Sequence, residues 1–144
     1  MLELRDVRKA YARPEGPVKA LDGISLSAAA GEFIAVTGPS GCGKTTLLLA
    51  AGGLLAPDAG RVIVDGEDLY APSPERRARI RAERIGFVFQ QFHLIPYLSA
   101  IENVLAAALA MPRRDAVERA QELIDRFGLA PRARHVPAEL STGE

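Results

Sequence analysis

Residues 2–11, LELRDVRKAY, set apolar Leu2, Leu4 and Val7 loosely between charged neighbours, a pattern that predicts an early strand. VKALDGISLSAAAGE follows, with Leu21, Ile24 and Leu26 as the apolar positions of a second strand and Gly31 as its exit turn. EFIAVTG, residues 32–38, is a compact apolar run closed by glycine, as expected of a strand buried on both faces. KTTLLLAAGGLL then predicts a helix, and RVIVDG (61–66) and RIGFVFQ (84–90) predict two more strands.

The remainder reads as helical. IENVLAAALAM (101–111) is one segment and DAVERAQELIDRFGL (115–129) another. In the second, Val117, Ala120, Ile124 and Phe127 recur at helical spacing and make one apolar stripe. Asp115 stands where an N-cap belongs, Gly128 where the helix should stop, and Glu122 can pair with Arg126 one turn on. Strands interleaved with helices indicate an α/β fold, and no repeat, linker or low-complexity stretch interrupts the chain.

Composition adds exclusions. Eighteen basic residues balance eighteen acidic ones over 144 positions, which gives no electrostatic reason to expect nucleic acid as a partner. The one cysteine, Cys42, rules out an internal disulfide framework and a multi-thiolate metal site. MLELRDVRKAY lacks the apolar core of a signal peptide. The most apolar stretch, LLLAAGGLLA (47–56), is shorter than the roughly 20 residues of a membrane-spanning helix, and two glycines interrupt it. The expectation is a cytosolic protein that meets a membrane only through a partner.

GPSGCGKT, residues 38–45, carries the chemistry: it fits G-x-x-x-x-G-K-[ST] in full, with Pro39, Ser40 and Cys42 among the unspecified positions. Gly38, Gly41 and Gly43 let the backbone bend so that its N–H groups can converge on a polyphosphate. Lys44 supplies a point charge for the β- and γ-phosphates. The Thr45 hydroxyl can ligate Mg²⁺, Thr46 can donate a further hydrogen bond, and the helix that starts there adds the positive end of its dipole. The motif follows a predicted strand and opens a predicted helix, the context a nucleoside-triphosphate loop requires. Cys42 reads as a small side chain that fits the loop; with no histidine beside it, a nucleophilic role has no support.

Three further stretches resemble one family. FVFQQFHLIPYLSAIENV (87–104) is similar to the Q-loop region of ATP-binding cassette (ABC) ATPases, LSTGE (140–144) to their LSGGQ signature, and Tyr11 stands where they place an aromatic ring against adenine. The form FVFQQFHLIP is most like the lipoprotein-release and macrolide-export branch. The resemblance implies a P-loop NTPase fold of ABC ATPase type. That fold has an N-terminal antiparallel β part, a P-loop strand–helix core and a helical subdomain. It makes 1–144 one partial ATP-binding domain, with about 1–90 as nucleotide-binding core and about 91–144 as helical subdomain.

The resemblance also implies roles. ATP and Mg²⁺ would be the cofactors, with Gln90 ligating the metal or orienting the attacking water. Segment Phe92–Leu98 would touch a transmembrane permease subunit at the cytoplasmic face of the membrane. Ser141 and Gly143 would cap the γ-phosphate of ATP held by a second ATP-binding subunit, in a homodimer. Thr142 and Glu144 depart from LSGGQ, restricting the backbone and adding negative charge. His93 and His135 do not match the family's switch histidine and read as surface or packing residues.

Hydrolysis in the family needs more: a Walker B strand ending in aspartate, an adjacent glutamate base and the switch histidine. No apolar run followed by Asp-Glu occurs in the sequence, and Glu67 and Asp68 follow turn residues. The expectation is therefore the N-terminal part of a transport ATPase, without the C-terminal part of its core, that binds nucleotide with negligible turnover. The alternatives are a non-catalytic nucleotide-binding module and a soluble, non-transport ABC protein.

Overall fold

Leu4 and Val7 are both fully buried although they are three positions apart, a spacing that a regular strand would send to opposite faces. Strand β1 (Leu2–Tyr11) reconciles them with a bulge: its register against its neighbours shifts between these residues, and Asp6 takes φ 47°. Gly60 makes room for the bulge, since a Cβ there would run into the Asp6 carbonyl.

Beside β1 lie β2 (Val18–Ala28) and β3 (Ala59–Val64), and a two-residue strand β4 (Glu67–Asp68) pairs with β3. The sheet order is β2-β1-β3-β4, antiparallel throughout. Leu4, Val7, Leu21, Val62 and Val64 from the sheet join Leu69, Ala50 and Ile80 in one core. Ala50 comes from helix α1 (Lys44–Ala51) and Ile80 from helix α2 (Pro74–Arg84).

The computed structural model describes residues 1–109, 112–141 and 143–144, and the chain divides into two compact units, Met1–Phe87 and Val88–Glu144. The first holds the sheet, α1 and α2. PERRARIRAER has no apolar stripe that would predict α2, and Ile80 is its one buried residue. Its start was nonetheless legible in Ser73–Pro74, where the Ser73 hydroxyl accepts from the Arg76 N–H at 3.3 Å and proline holds the first helical turn.

Two expectations fail in the backbone. Residues 32–38 and 84–90 are not sheet strands, and Gln90 lies at a bend after such a run rather than at a strand end. Phe33 is 92% exposed and Val88 fully exposed. Apolar composition makes a segment compatible with a buried strand, but the strand exists only where another segment completes its ladder. Helix α1 also ends at Gly52, short of the predicted Leu55.

In the second unit, helix α3 (Ala100–Ala106) continues as a 3₁₀ turn to Leu109; residues 110 and 111, the end of the predicted segment, lie outside the described residues. Asn103 organises the loop before α3. Its side-chain oxygen accepts from the Ile95 N–H at 2.8 Å, and its amide donates to the carbonyls of Leu98 and Ser99 at 2.9 and 3.1 Å. Glu102 completes a capping box by accepting from the Ser99 N–H at 2.8 Å.

Helix α4 (Ala116–Arg126) buries Ala120 and Ile124 but leaves Val117 and Phe127 exposed, so half of the predicted stripe is used. Asp115 is the N-cap residue without capping by its side chain, because Arg113 takes that carboxylate through two hydrogen bonds of 3.0 and 2.8 Å. Glu122 pairs with Arg119 rather than Arg126. Gly128 has φ 71°, the left-handed geometry that ends helices.

Candidate functional site

The loop before α1 is built on left-handed backbone: φ is 148° at Gly38, 80° at Gly41 and 95° at Gly43. Gly43 is the N-cap of α1 and no side chain caps the helix. A Cβ on Gly43 would collide with the Ala20 carbonyl, which only glycine avoids. Among the described residues no acceptor takes the first-turn N–H groups of Lys44, Thr45 and Thr46, so these donors remain available to a ligand.

The Lys44 ammonium folds back on the loop, donating to the carbonyls of Gly38 at 2.8 Å and Pro39 at 2.7 Å. Cys42 is exposed, with Sγ 3.6 Å from the same Nζ.

An open cavity of about 390 Å³ lies beside this turn, lined by Ser40, Gly41, Gly43, Lys44, Thr45 and Thr46 together with Tyr11, Arg13, Val18 and Ala20. The Tyr11 hydroxyl lies 3.5 Å from Thr46 Oγ1. Asp58 secures this end of β1: its carboxylate accepts from Lys9 Nζ and the Ala10 N–H, each at 2.7 Å. The Lys9 ammonium, helped by the Ala10 N–H, holds the Asp58 carboxyl below its usual range.

The far end of α1 is fastened from the β4–α2 connection and from α2 itself. The Tyr70 hydroxyl lies 2.7 Å from the Ala50 carbonyl and 2.6 Å from that of Leu55, and Arg81 donates to the Gly53 carbonyl at 3.0 Å. Burial pushes the Tyr70 phenol up to about 12.

The structure thus brings Tyr11, Ser40, Gly41, Gly43, Lys44, Thr45 and Thr46 to one cavity, with Gly38 and Pro39 behind Lys44. Gln90, Ser141 and Gly143 belong to the second unit. There the Ser141 N–H is taken by Glu144 at 2.8 Å, and Arg132 donates to the same carboxylate at 3.3 Å. Accepting from Ser141, and then the Arg132 charge, hold the Glu144 carboxyl below its usual range. Thr142 lies outside the described residues. His93 is exposed and meets Phe89 edge-on, ring centroids 5.1 Å apart.

Sequence reasoning missed Arg13, Val18 and Ala20 in the cavity and Asn103 in the loop before α3. The position of Arg13, two residues beyond Tyr11, was the available signal for the first; nothing in the pattern marked the backbone partners of Asn103.

With this cradle in place, the comparisons define the class. The model of the ABC transporter family matches residues 21–144, and the chain belongs to that family. It is 47% identical over its whole length to the lipoprotein-releasing system ATP-binding protein LolD 1 of Rhodopirellula baltica. It is 40% identical to the macrolide export ATP-binding/permease protein MacB of Shigella flexneri, again along all of this chain. The dimeric structure of MJ0796, a bacterial ABC transporter cassette, matches 99% of the chain with a TM-score of 0.91 at 36% identity. A post-hydrolysis state of the same cassette, bound to ADP and Pi, matches with a TM-score of 0.88. The chain spans 64% of LolD 1, 22% of MacB and 64% of the MJ0796 chain. The fold is that of a P-loop NTPase of ABC ATPase type, and no described helix is long and apolar enough to cross a membrane.

Proposed function

We propose that this chain is the nucleotide-binding part of an ATP-binding subunit. Such a subunit couples ATP binding and hydrolysis to substrate export or lipoprotein release through a membrane permease. The observation that carries the reading is the convergence of Tyr11 and the Lys44–Thr46 turn on one cavity. The uncapped α1 terminus and the glycine cradle fit a polyphosphate: its oxygens would take the N–H groups of Lys44, Thr45 and Thr46 and draw the Lys44 ammonium off its own loop. Tyr11 would stack on adenine.

Thr45 would hold Mg²⁺, which when bound neutralises phosphate charge. Ser141 and Gly143 would face the ATP of a second ATP-binding subunit, in a homodimer. Phe92, Leu94 and Tyr97 are 63%, 44% and 79% exposed in the segment Phe92–Leu98. That apolar display supports a contact with the permease at the cytoplasmic face of the membrane.

One residue-level fact shapes the expected activity. No apolar run among these 144 residues ends in Asp-Glu, so a catalytic base is not supplied by them. A non-catalytic nucleotide-binding module is the second reading, and it rests on the same fact. Phosphate release by the purified chain tests the assignment: ATP should bind with negligible turnover. Turnover at the rate of a full-length relative, abolished by Lys44→Ala, would contradict it. Phe92→Ser with Tyr97→Ser should weaken co-purification with the membrane permease of a lipoprotein-releasing system and leave ATP binding intact; unchanged co-purification would remove the segment from the interface.

A further inference from the structure

The cavity beside α1 is lined by two cations, Lys44 and Arg13, and by no carboxylate. Lys44 belongs to the phosphate loop. Arg13 belongs to no motif, and its guanidinium has no partner among the described residues.

That is unusual for its surroundings. In residues 1–87 most of the other arginines and lysines are engaged: Arg5 with Glu3, Arg8 with Asp6, Lys9 with Asp58, Lys19 with Asp22, and Arg76 and Arg84 with Glu67. Arg77 lies over the Tyr70 ring, and Arg81 and Lys44 hold carbonyls. The exceptions are Arg13, Arg61 and Arg79, and of these only Arg13 lines the cavity. Its backbone is fixed by a tight turn: the Gly16 N–H donates to the Arg13 carbonyl at 3.0 Å, and Pro14 restricts the chain between them. The turn fixes the base of the side chain beside the cavity, and the planar guanidinium brings its donors already arranged as a fork.

We infer that Arg13 is a second phosphate-recognising cation of this site, taking the α-phosphate at the junction between nucleoside and phosphate chain. The inference rests on the nucleotide reading above, in which Tyr11 marks the base end and Lys44 the terminal-phosphate end. Arg13, two residues beyond Tyr11 in the chain, lines the same cavity as both. Its planar N–H fork matches two phosphate oxygens, which a ribose hydroxyl or an adenine edge does not offer.

The test measures affinities of the full chain for ATP, ADP, AMP and adenosine by displacement of a fluorescent ATP analogue. Arg13→Gln should weaken ATP, ADP and AMP alike by about tenfold, the scale of one charged hydrogen-bonding contact, and leave adenosine unchanged. Arg13→Lys should recover part of the loss. Arg79→Gln removes the same charge outside the cavity and should change nothing. Unchanged ATP and AMP affinities in Arg13→Gln would overturn the inference, as would an equal loss for adenosine, which would assign the guanidinium to the base. A wild-type chain that binds no nucleotide would overturn the site reading itself and this inference with it, a result distinct from either.

Discussion

The Lys44 ammonium lies 2.7 Å from the carbonyl oxygen of Pro39, within its own loop, with Cys42 Sγ 3.6 Å away. An arriving phosphate therefore exchanges one set of Lys44 hydrogen bonds for another and covers the neighbouring thiol. A thiol reagent should modify Cys42 freely in the absence of nucleotide and block subsequent binding. At ATP ten times its dissociation constant, labelling should slow by about tenfold, the protection mass action allows. Equal labelling rates with and without ATP would remove Cys42 from the nucleotide's footprint.

The glycines of the loop are not equivalent. Gly43 combines φ 95° with a blocked Cβ position at the Ala20 carbonyl, whereas Gly41, at φ 80°, faces open space. Gly41→Ala should cost only the left-handed backbone penalty, about 1–2 kcal/mol. Gly43→Ala adds a collision with backbone and should cost more in thermal stability and in ATP affinity. Equal effects of the two substitutions would show that the loop relaxes around either side chain.

Tyr70 ties the trailing end of α1, and Tyr70→Phe should lower stability by about 1 kcal/mol, the net value of a hydrogen bond partly withdrawn from water. The pH dependence has a definite sign. Folding raises the Tyr70 phenol from about 10 to about 12, so the folded state favours the protonated form. Its contribution is complete below about pH 10 and declines as pH rises through the folded value. Urea unfolding at about pH 8 and about pH 11 should show a larger loss of stability in the wild type than in Tyr70→Phe. Matching losses would contradict the raised phenol.

Phe33 at 92% exposure and Val88 at full exposure are large apolar side chains facing water in two separate units. The chain should self-associate with rising concentration, and Phe33→Ser with Val88→Ser should suppress this in light scattering. A monodisperse monomer at all concentrations would mean that these side chains find cover within the chain.

The elements legible in the sequence are those whose cause is local. The 38–45 loop declares itself because its glycines, Lys44 and Thr45 act within one turn of chain, and β1, β2 and β3 show in short apolar alternations. The bulge that turns Val7 inward is not visible, since it is set by Gly60 across the sheet. Residues 32–38 and 84–90 carry strand composition without strand structure, because a ladder depends on other segments. Helix α2 was missed for the converse reason: its Ser73 cap and proline start are local and present, but its buried face is Ile80 alone. Arg13 was passed over because a single arginine near an aromatic has no pattern; only the shared cavity singles it out.

The central claim is an ATP site centred on Lys44, and calorimetric titration of ATP into the full chain and into Lys44→Ala tests it most directly. One ATP per chain should bind the wild type, with affinity reduced by about tenfold or more in Lys44→Ala, as expected for losing a charged hydrogen-bonding contact. Equal affinity of the two proteins, or no heat of binding in the wild type, would contradict it.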